Sequence, residues 1–420
     1  MEASTQVMCD LLVEHSRTEQ MINALCIGAG PEQLPSITVA RNLGLHVIAV
    51  DPNPQAPGLT AAQMGYAVDI AHEDVVLSLV RDLRISLVIP TPLGRFLTTV
   101  GAINDALGLR GITRQAAVHC TDKWMFRTRL ETTGIRQPRF ALARGRGEIL
   151  AKWREVGTPC VLKPRFGSGS KGVIVVEHAK ELERAVAHHL ADQPADVDTL
   201  IEELILGNPS GLDGAVIDGK FTLTLLRDKQ LTSLPYRAET SYVAPARFGP
   251  EIYAAVVKMI GKAAAALGLN NCLVHADLVI PENCSPVIIE MSGRPSGLFI
   301  ASKMVPASTG VDLIGEGIKL ALGEKTDFCP RQQRPVVLWY FPLPRGRVEA
   351  VPSPDLVRCR VGVLDFVCFL KPGDALDEIT TAREVLMRGF ILTTDSTLEG
   401  ALCRAKQVSD LFKTSRESSI

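Results

Sequence analysis

Two carboxylates inside an otherwise apolar hairpin constrain this chain more than any other feature. Cys272 to Ile280 reads as a strand carrying His275 and Asp277, and Pro286 to Met291 as its partner carrying Glu290, with Ser292 and Arg294 just beyond. A symmetric turn over 281–286 pairs Val287 with Ile280, and the same register sets Asp277 opposite Glu290 and His275 opposite Ser292. Facing side chains stand about 4.5–5.5 Å apart at Cβ, where two carboxylates repel. A hard divalent cation with oxygen ligands would hold them together; unpaired acids on a solvated face are the alternative. Arg294 is placed to meet an anion bound to such a cation.

The second constraint is Arg165-Phe166-Gly167-Ser168-Gly169-Ser170-Lys171-Gly172, between the apolar runs Val161-Leu162 and Val173 to Val176. Glycines at 167, 169 and 172 let backbone N–H groups approach an anion, and Ser168 and Ser170 add hydroxyl donors. A phosphate loop of the Walker type launches a helix, whereas this one feeds a β-branched run. A two-strand flap over a triphosphate fits; a flexible hairpin tip is the alternative. Alternation turns Lys163 away from Leu162, where a nucleotide phosphate would answer its charge, and Lys123 offers a second cation. Either lysine could equally lie on the surface. Leu200 to Gly207 places Glu202 and Glu203 in an apolar strand just before a loop, which suits a hinge that hydrogen-bonds a base or the polar face of an edge strand.

Upstream, strand and helix alternate as in a parallel α/β layer. The strand Asn23–Gly28 leads into Gly28-Ala29-Gly30, with Pro31 opening a helix that Gly44 ends; His46–Val50 follows, then a helix over Asp74–Leu83 and a strand over Ile85–Pro90. Gly28, Gly30 and Asp51 suggest a dinucleotide site, but the third glycine of that fingerprint is missing, and a structural βα turn is the competing reading. A basic helix spans Lys123–Thr133. A helix over Glu251–Leu267 precedes the hairpin, and the last ninety residues hold short strands (Val336–Phe341, Val363–Leu370, Phe390–Thr393) and a helix from Leu398 to Phe412 with its core face at helical spacing.

Composition narrows the classes. The 45 basic and 46 acidic residues give a net charge of -1, which argues against a general nucleic-acid binder. The 10 cysteines form no C-x-x-C pair, which predicts buried, reduced thiols rather than disulfides or a zinc site. No apolar run reaches the 18 or so residues that span a bilayer. The first residues, with Glu2, Asp10, Glu14 and Glu19, lack a signal peptide's basic and apolar regions. A cytoplasmic protein without a membrane partner is expected.

In this order the pieces resemble the ATP-grasp carboxylate–amine ligases, and within them the L-amino-acid ligase (dipeptide-forming) branch. The resemblance implies a mixed α/β and α+β chain. Its parts are a polar leader (1–20), a Rossmann-like N-terminal domain (21–115), a lid (116–200), a core with the metal site (201–330) and a C-terminal subdomain (331–420). It assigns ATP contacts to Lys123, Lys163, Gly167, Ser168, Gly169, Ser170 and Gly172, to the adenine hinge Glu202, Glu203, Leu204 and Ile205, and to Asp213. Metal ligation falls to Asp277, Glu290 and Ser292, catalysis to Arg294, Glu290 and His275, and substrate contact to Arg294, Gly297 and Leu298, with specificity loops at Leu234–Pro245 and Pro295–Ala301. Arg237 and Arg247 are further candidates for a substrate carboxylate. Implied cofactors are ATP and two Mg2+ ions, with Mn2+ as a substitute; implied partners are a small carboxylate, an amino-acid amine and a second copy in a homodimer. Three positions depart from the family pattern: Asp277 where Glu is usual, Ser292 where Asn is usual, and Asn208-Pro209 where a ribose-contacting Glu often stands. An ATP-grasp carboxylase or nucleotide-biosynthesis ligase is the nearest alternative. A nicotinamide-dependent oxidoreductase and a non-catalytic nucleotide-binding protein are alternatives of other classes.

Overall fold

A computed structural model of the chain describes residues 21–415 except 192, 195, 283 and 284. The expected polar leader (1–20), Cys9 and Cys284 therefore lie outside the described residues.

The N-terminal layer is a four-stranded parallel sheet in the spatial order Met64–Ala67, His46–Asp51, Asn23–Ile27, Ile85–Val88. Its strands are apolar on both faces because helices cover both. The first helix starts at Leu34, after a turn, rather than at Pro31, and stops where Gly44 takes a φ of 80°. Asp51 settles the βα turn: its carboxylate accepts the Ala29 N–H at 2.7 Å and the Asn53 N–H at 2.8 Å. The side chain expected on a ribose in the dinucleotide reading is used to close the Gly-Ala-Gly turn.

The lid is a four-stranded antiparallel sheet ordered Phe140–Arg144, Asp198–Glu203, Cys160–Pro164, Ile174–Val176. The strand with Glu202 and Glu203 is interior, so the edge-strand alternative is corrected, and it runs through the expected boundary at 200. Cys160 pairs with Val176 and Leu162 with Ile174, so the glycine loop does join two paired strands.

An eight-stranded antiparallel sheet forms the core. It begins with the hairpin strands Val287–Ser292 and Cys272–Ile280, continues through Asn208–Ile217, Lys220–Leu231 and Glu239–Ala244, and ends with Val336–Trp339, Gly389–Thr394 and Val363–Cys368. Glu239–Ala244 is thus a strand, where the sequence suggested a loop over 234–245. One face buries Leu212, Leu226, Ala276 and Met291 against the helix Pro250–Leu267. The other face, with Ala215, Leu225 and Leu273, packs against the N-terminal layer. Alternation therefore sends Asp213, His275 and Asp277 toward the seam between domains.

The eight described cysteines are all free thiols. Cys26, Cys120, Cys160 and Cys272 are buried as expected, but Cys329, Cys359 and Cys403 are exposed. Among the described residues no helix is long and apolar enough to cross a membrane.

Lid and core are joined by a buried ion pair. Arg127, on the helix Lys123–Glu131, is 1% exposed and bonds Glu202 Oε1 of the lid at 2.7 Å. Its other nitrogens donate to the carbonyls of Ile288 (3.2 Å) and Ile289 (2.7 Å) on the hairpin. Burial pushes the Glu202 carboxyl up, but the Arg127 and Lys163 charges outweigh it and hold the group at about 2. Ionised Glu202 therefore stabilises the fold fully above pH 4.5, and that contribution is lost as pH falls from 4.5 toward 2. Glu202→Gln leaves Arg127 buried without its counter-charge and should cost about 3–5 kcal/mol in denaturant unfolding, with a shallower acid dependence than wild type over that window. Asp51→Ala should lower stability by about 1–2 kcal/mol in denaturant unfolding through its lost hydrogen bonds; unchanged stability would return Asp51 to the dinucleotide reading.

Candidate functional site

The hairpin pairs as expected at its functional end: His275 faces Ser292 and Asp277 faces Glu290. The far end differs. Val287 pairs with Val279, not Ile280, and the register shifts by one between Leu278 and Asp277. Ile289 is the extra residue of this β-bulge, and its carbonyl is the one Arg127 holds at 2.7 Å. Without the bulge Glu290 would face Ala276 and point into the helix-covered side. The bulge moves it onto the face of Asp277.

The row continues across the sheet, Glu290 to Asp277 to Gly211 to Arg227. A Cβ at Gly211 would lie 3.1 Å from Arg227 Nη2, so the missing side chain makes room for the guanidinium. Arg227 is fully buried, paired with Asp213 and set over the Tyr242 ring at 5.3 Å. Lys229, two residues on, bonds Asp277 at 2.7 Å and reaches Glu239 at 3.5 Å.

Lys229, Glu239, Asp277 and Glu290 floor a cleft of about 140 Å3 roofed by the glycine loop. Lys123, Lys163, Gly167, Ser168, Gly169 and Ser170 line it, as do Glu202, Glu203, Leu204, Ile205, Asp277 and Glu290. Gly167, Gly169 and Gly172 all take positive φ, which explains three glycines in six residues. The loop is tied at several points. Lys123 Nζ donates to Gly167 O at 2.8 Å, Ser170 Oγ to Arg237 O at 3.2 Å, and Ala382 N to Gly169 O at 3.0 Å. At the loop's root Arg165 bonds Asp122 at 2.7 Å and Asp198 at 3.0 Å. Lys163 bonds Glu202 at 2.5 Å, so the acid expected to read a base instead fixes the strand lysine.

A smaller polar chamber of about 20 Å3 adjoins the cleft and shares Lys123, Gly167, Ser168 and Glu290 with it. Ser292 and Arg294 line this chamber and not the cleft. The remaining expected site residues stand elsewhere. Gly172 faces away from the cleft, toward His189, whose Nδ1 lies 2.6 Å from its carbonyl. Asp213 is buried under the floor and accepts the Ser296 N–H at 3.2 Å, so the expected ATP contact is corrected to a structural pair with Arg227. Gly297 and Leu298 line neither space; the Leu298 N–H donates to the Glu32 carboxylate of the N-terminal layer. His275 lies beneath, its Nδ1 3.2 Å from Leu212 O and its Nε2 3.5 Å from Asp277. Burial lowers its pKa to about 4 against the pull of Asp277 and Asp213, so it is neutral at pH 7. Arg247 pairs with Glu399 on the surface, while Arg237 lines the cleft.

Asp277, Glu290 and the Ser292 hydroxyl make an all-oxygen donor set. Glu290 is half-buried with no ion pair among the described residues. No cluster of three or more His, Cys, Asp or Glu side chains gathers there among the described residues. A partial shell of two carboxylates suits Mg2+, which keeps waters and takes substrate phosphates as its other ligands.

Sequence reading missed Arg127, Arg227, Lys229, Glu239 and Glu32. Lys229, flanked by Asp228 and Gln230, and Glu239, at the start of its strand beside Thr240, lack the apolar flanks that would have singled them out.

Comparison with known proteins agrees with this geometry. Residues 156–302 match the ATP-grasp domain family. The chain is 26% identical over 223 residues to the alanine–anticapsin ligase of Bacillus subtilis, covering 48% of this chain and 47% of that protein. It is 29% identical over 170 residues to a formate-dependent phosphoribosylglycinamide formyltransferase of Burkholderia pseudomallei, covering 40% and 42%. The chain spans about half the length of the curated relatives it matches. Among solved structures, the L-amino acid ligase of Bacillus licheniformis superposes with a TM-score of 0.80 at 23% identity, over 94% of this chain and 99% of that one. Residues 156–302 thus match an ATP-grasp domain, set in a chain that shares the overall fold of the L-amino acid ligase structure.

Proposed function

We propose that this protein is an ATP-dependent carboxylate–amine ligase, joining an amino acid or small carboxylic acid to an amino acid and releasing ADP and phosphate. One observation carries the reading: Glu290, facing Asp277 across the bulged hairpin, lines both the cleft under the glycine loop and the chamber that holds Arg294. A nucleotide in the first space and an acid in the second would meet at that carboxylate.

The substrate carboxylate attacks the γ-phosphorus from the chamber side, the bond to ADP breaks, and an acyl-phosphate forms. The amine then adds to the acyl carbon, loses its proton, and phosphate leaves. Lys123 and Lys163 hold the phosphates, with Glu202 fixing Lys163 in place. Asp277 and Glu290 would hold Mg2+, which supplies charge neutralisation between phosphates when bound. Arg294 balances the charge of the acyl-phosphate and of the tetrahedral adduct. The glycine loop excludes water from the acyl-phosphate. His275, neutral and beneath the floor, orients Asp277 rather than touching substrate. The similarity to a formate-dependent formyltransferase supports a second reading, in which the acid is as small as formate and the product belongs to nucleotide synthesis.

Incubation with ATP, Mg2+ and a panel of acids and amines tests the proposal. ADP and phosphate release that requires both an acid and an amine supports it; AMP and pyrophosphate, or hydride transfer to a nicotinamide, overturns it. Formate as the only productive acid selects the second reading. Glu290→Gln should fold normally and lose turnover by at least about 100-fold; full activity refutes the metal hairpin. Lys163→Ala should weaken ATP binding in calorimetry far more than Lys171→Ala, and equal losses would remove Lys163 from the phosphate site.

A further inference from the structure

The chamber beyond the nucleotide cleft carries more positive charge than the reaction uses. Arg95, Lys123 and Arg294 line it against a single acid, Glu290. Lys123 lies at the junction with the cleft and is engaged with the glycine loop. Arg294 stands on the metal side, its guanidinium bonded to the Pro295 carbonyl at 2.9 Å. Arg95 comes from the N-terminal layer, is exposed, and lies over the Phe96 ring at 4.8 Å with no carboxylate partner among the described residues.

The lid touches the segment that carries Arg95. A Cβ on Gly94 would come within 2.9 Å of Ser168 Oγ, so the tip of the glycine loop rests on the residue next to Arg95. Arg95 thus stands in the wall of the chamber beside the loop tip, and Glu290 and Arg294 line the same space. A planar guanidinium at the wall of a small polar chamber matches a carboxylate through two parallel hydrogen bonds.

We propose that Arg95 is a specificity residue that binds a substrate carboxylate taking no part in bond formation. This rests on the ligase reading above. Two sources share that chemistry: the free α-carboxylate of an amino-acid amine, and the second carboxylate of a dicarboxylic acid.

The test measures ADP release by wild type, Arg95→Ala and Arg95→Lys, with the acid and amine found in the panel. Alanine is compared with alaninamide as amine, and succinate with butyrate as acid. In Arg95→Ala the KM for the carboxylate-bearing partner should rise roughly 30-fold or more, with kcat and the KM for ATP little changed and Arg95→Lys recovering part of the loss. A rise for alanine but not alaninamide assigns the amine as source; a rise for succinate but not butyrate assigns the acid. An unchanged KM for every partner overturns the proposal, as does an equal rise in the KM for ATP, which would place Arg95 in the nucleotide site. Wild type that releases no ADP with any pair removes the ligase reading itself, whereas normal wild-type turnover with an indifferent Arg95→Ala removes only the specificity role.

Discussion

The site depends on one buried cation. Arg127 bonds Glu202 of the lid and the two carbonyls flanking the hairpin bulge, so a single guanidinium sets both the lid's attachment and the register of the carboxylates. An arginine at 1% exposure is expensive unless its donors are matched, and here a carboxylate and two carbonyls match them. The bulge at Ile289 is what brings Glu290 round to Asp277, and a bulge leaves backbone carbonyls out of the ladder. Arg127 supplies their partner. The charge that ties down Lys163, through Glu202, is thus the charge that stabilises the kink beside Glu290.

A second buried pair works beneath the floor. Arg227 and Asp213 are both fully buried, and Gly211 leaves the space that Arg227 fills. Asp213 also accepts the Ser296 N–H, which anchors the segment just after Arg294. Replacing such pairs with apolar side chains is often neutral or stabilising in proteins, so stability alone is a weak reason to keep them. Fixing the polar face of a sheet against a domain seam is a better one, since each pair aims a neighbour: Lys163 by Glu202, and the segment after Arg294 by Asp213.

Much of this was legible in the chain, and unevenly. Alternation showed the parallel layer, the flap and the hairpin, because strands buried on one or both faces leave a strong apolar pattern. The facing of Asp277 and Glu290 was inferred from a symmetric turn, yet the strand ends pair one residue differently and the bulge at Ile289 restores the register. A bulge leaves little local sequence signal here, since its cause, Arg127, lies 161 residues from Ile288 along the chain. Asp213 misled for the opposite reason, whereas at Asp51 the structural turn weighed against a dinucleotide site is what the fold shows. An acid in an apolar context reads as a ligand contact, but Asp213 neutralises an arginine that sequence cannot place.

The uneven legibility has a physical source. Residues that act through their own strand, such as Lys163 and Glu290, are readable because a local pattern places them. Those that act by joining elements, such as Arg127, Arg227 and Arg95, look like ordinary surface cations until the fold brings their partners near. Arg95 is the sharpest case, since its neighbours Ser168, Glu290 and Arg294 come from the lid and the hairpin. A chain whose charges sum to -1 can still concentrate three cations around one chamber, because net charge is a property of the sequence and local field a property of the fold. The substrate contact proposed for Arg95 lies where the domains meet, the part of the structure that local sequence pattern describes least.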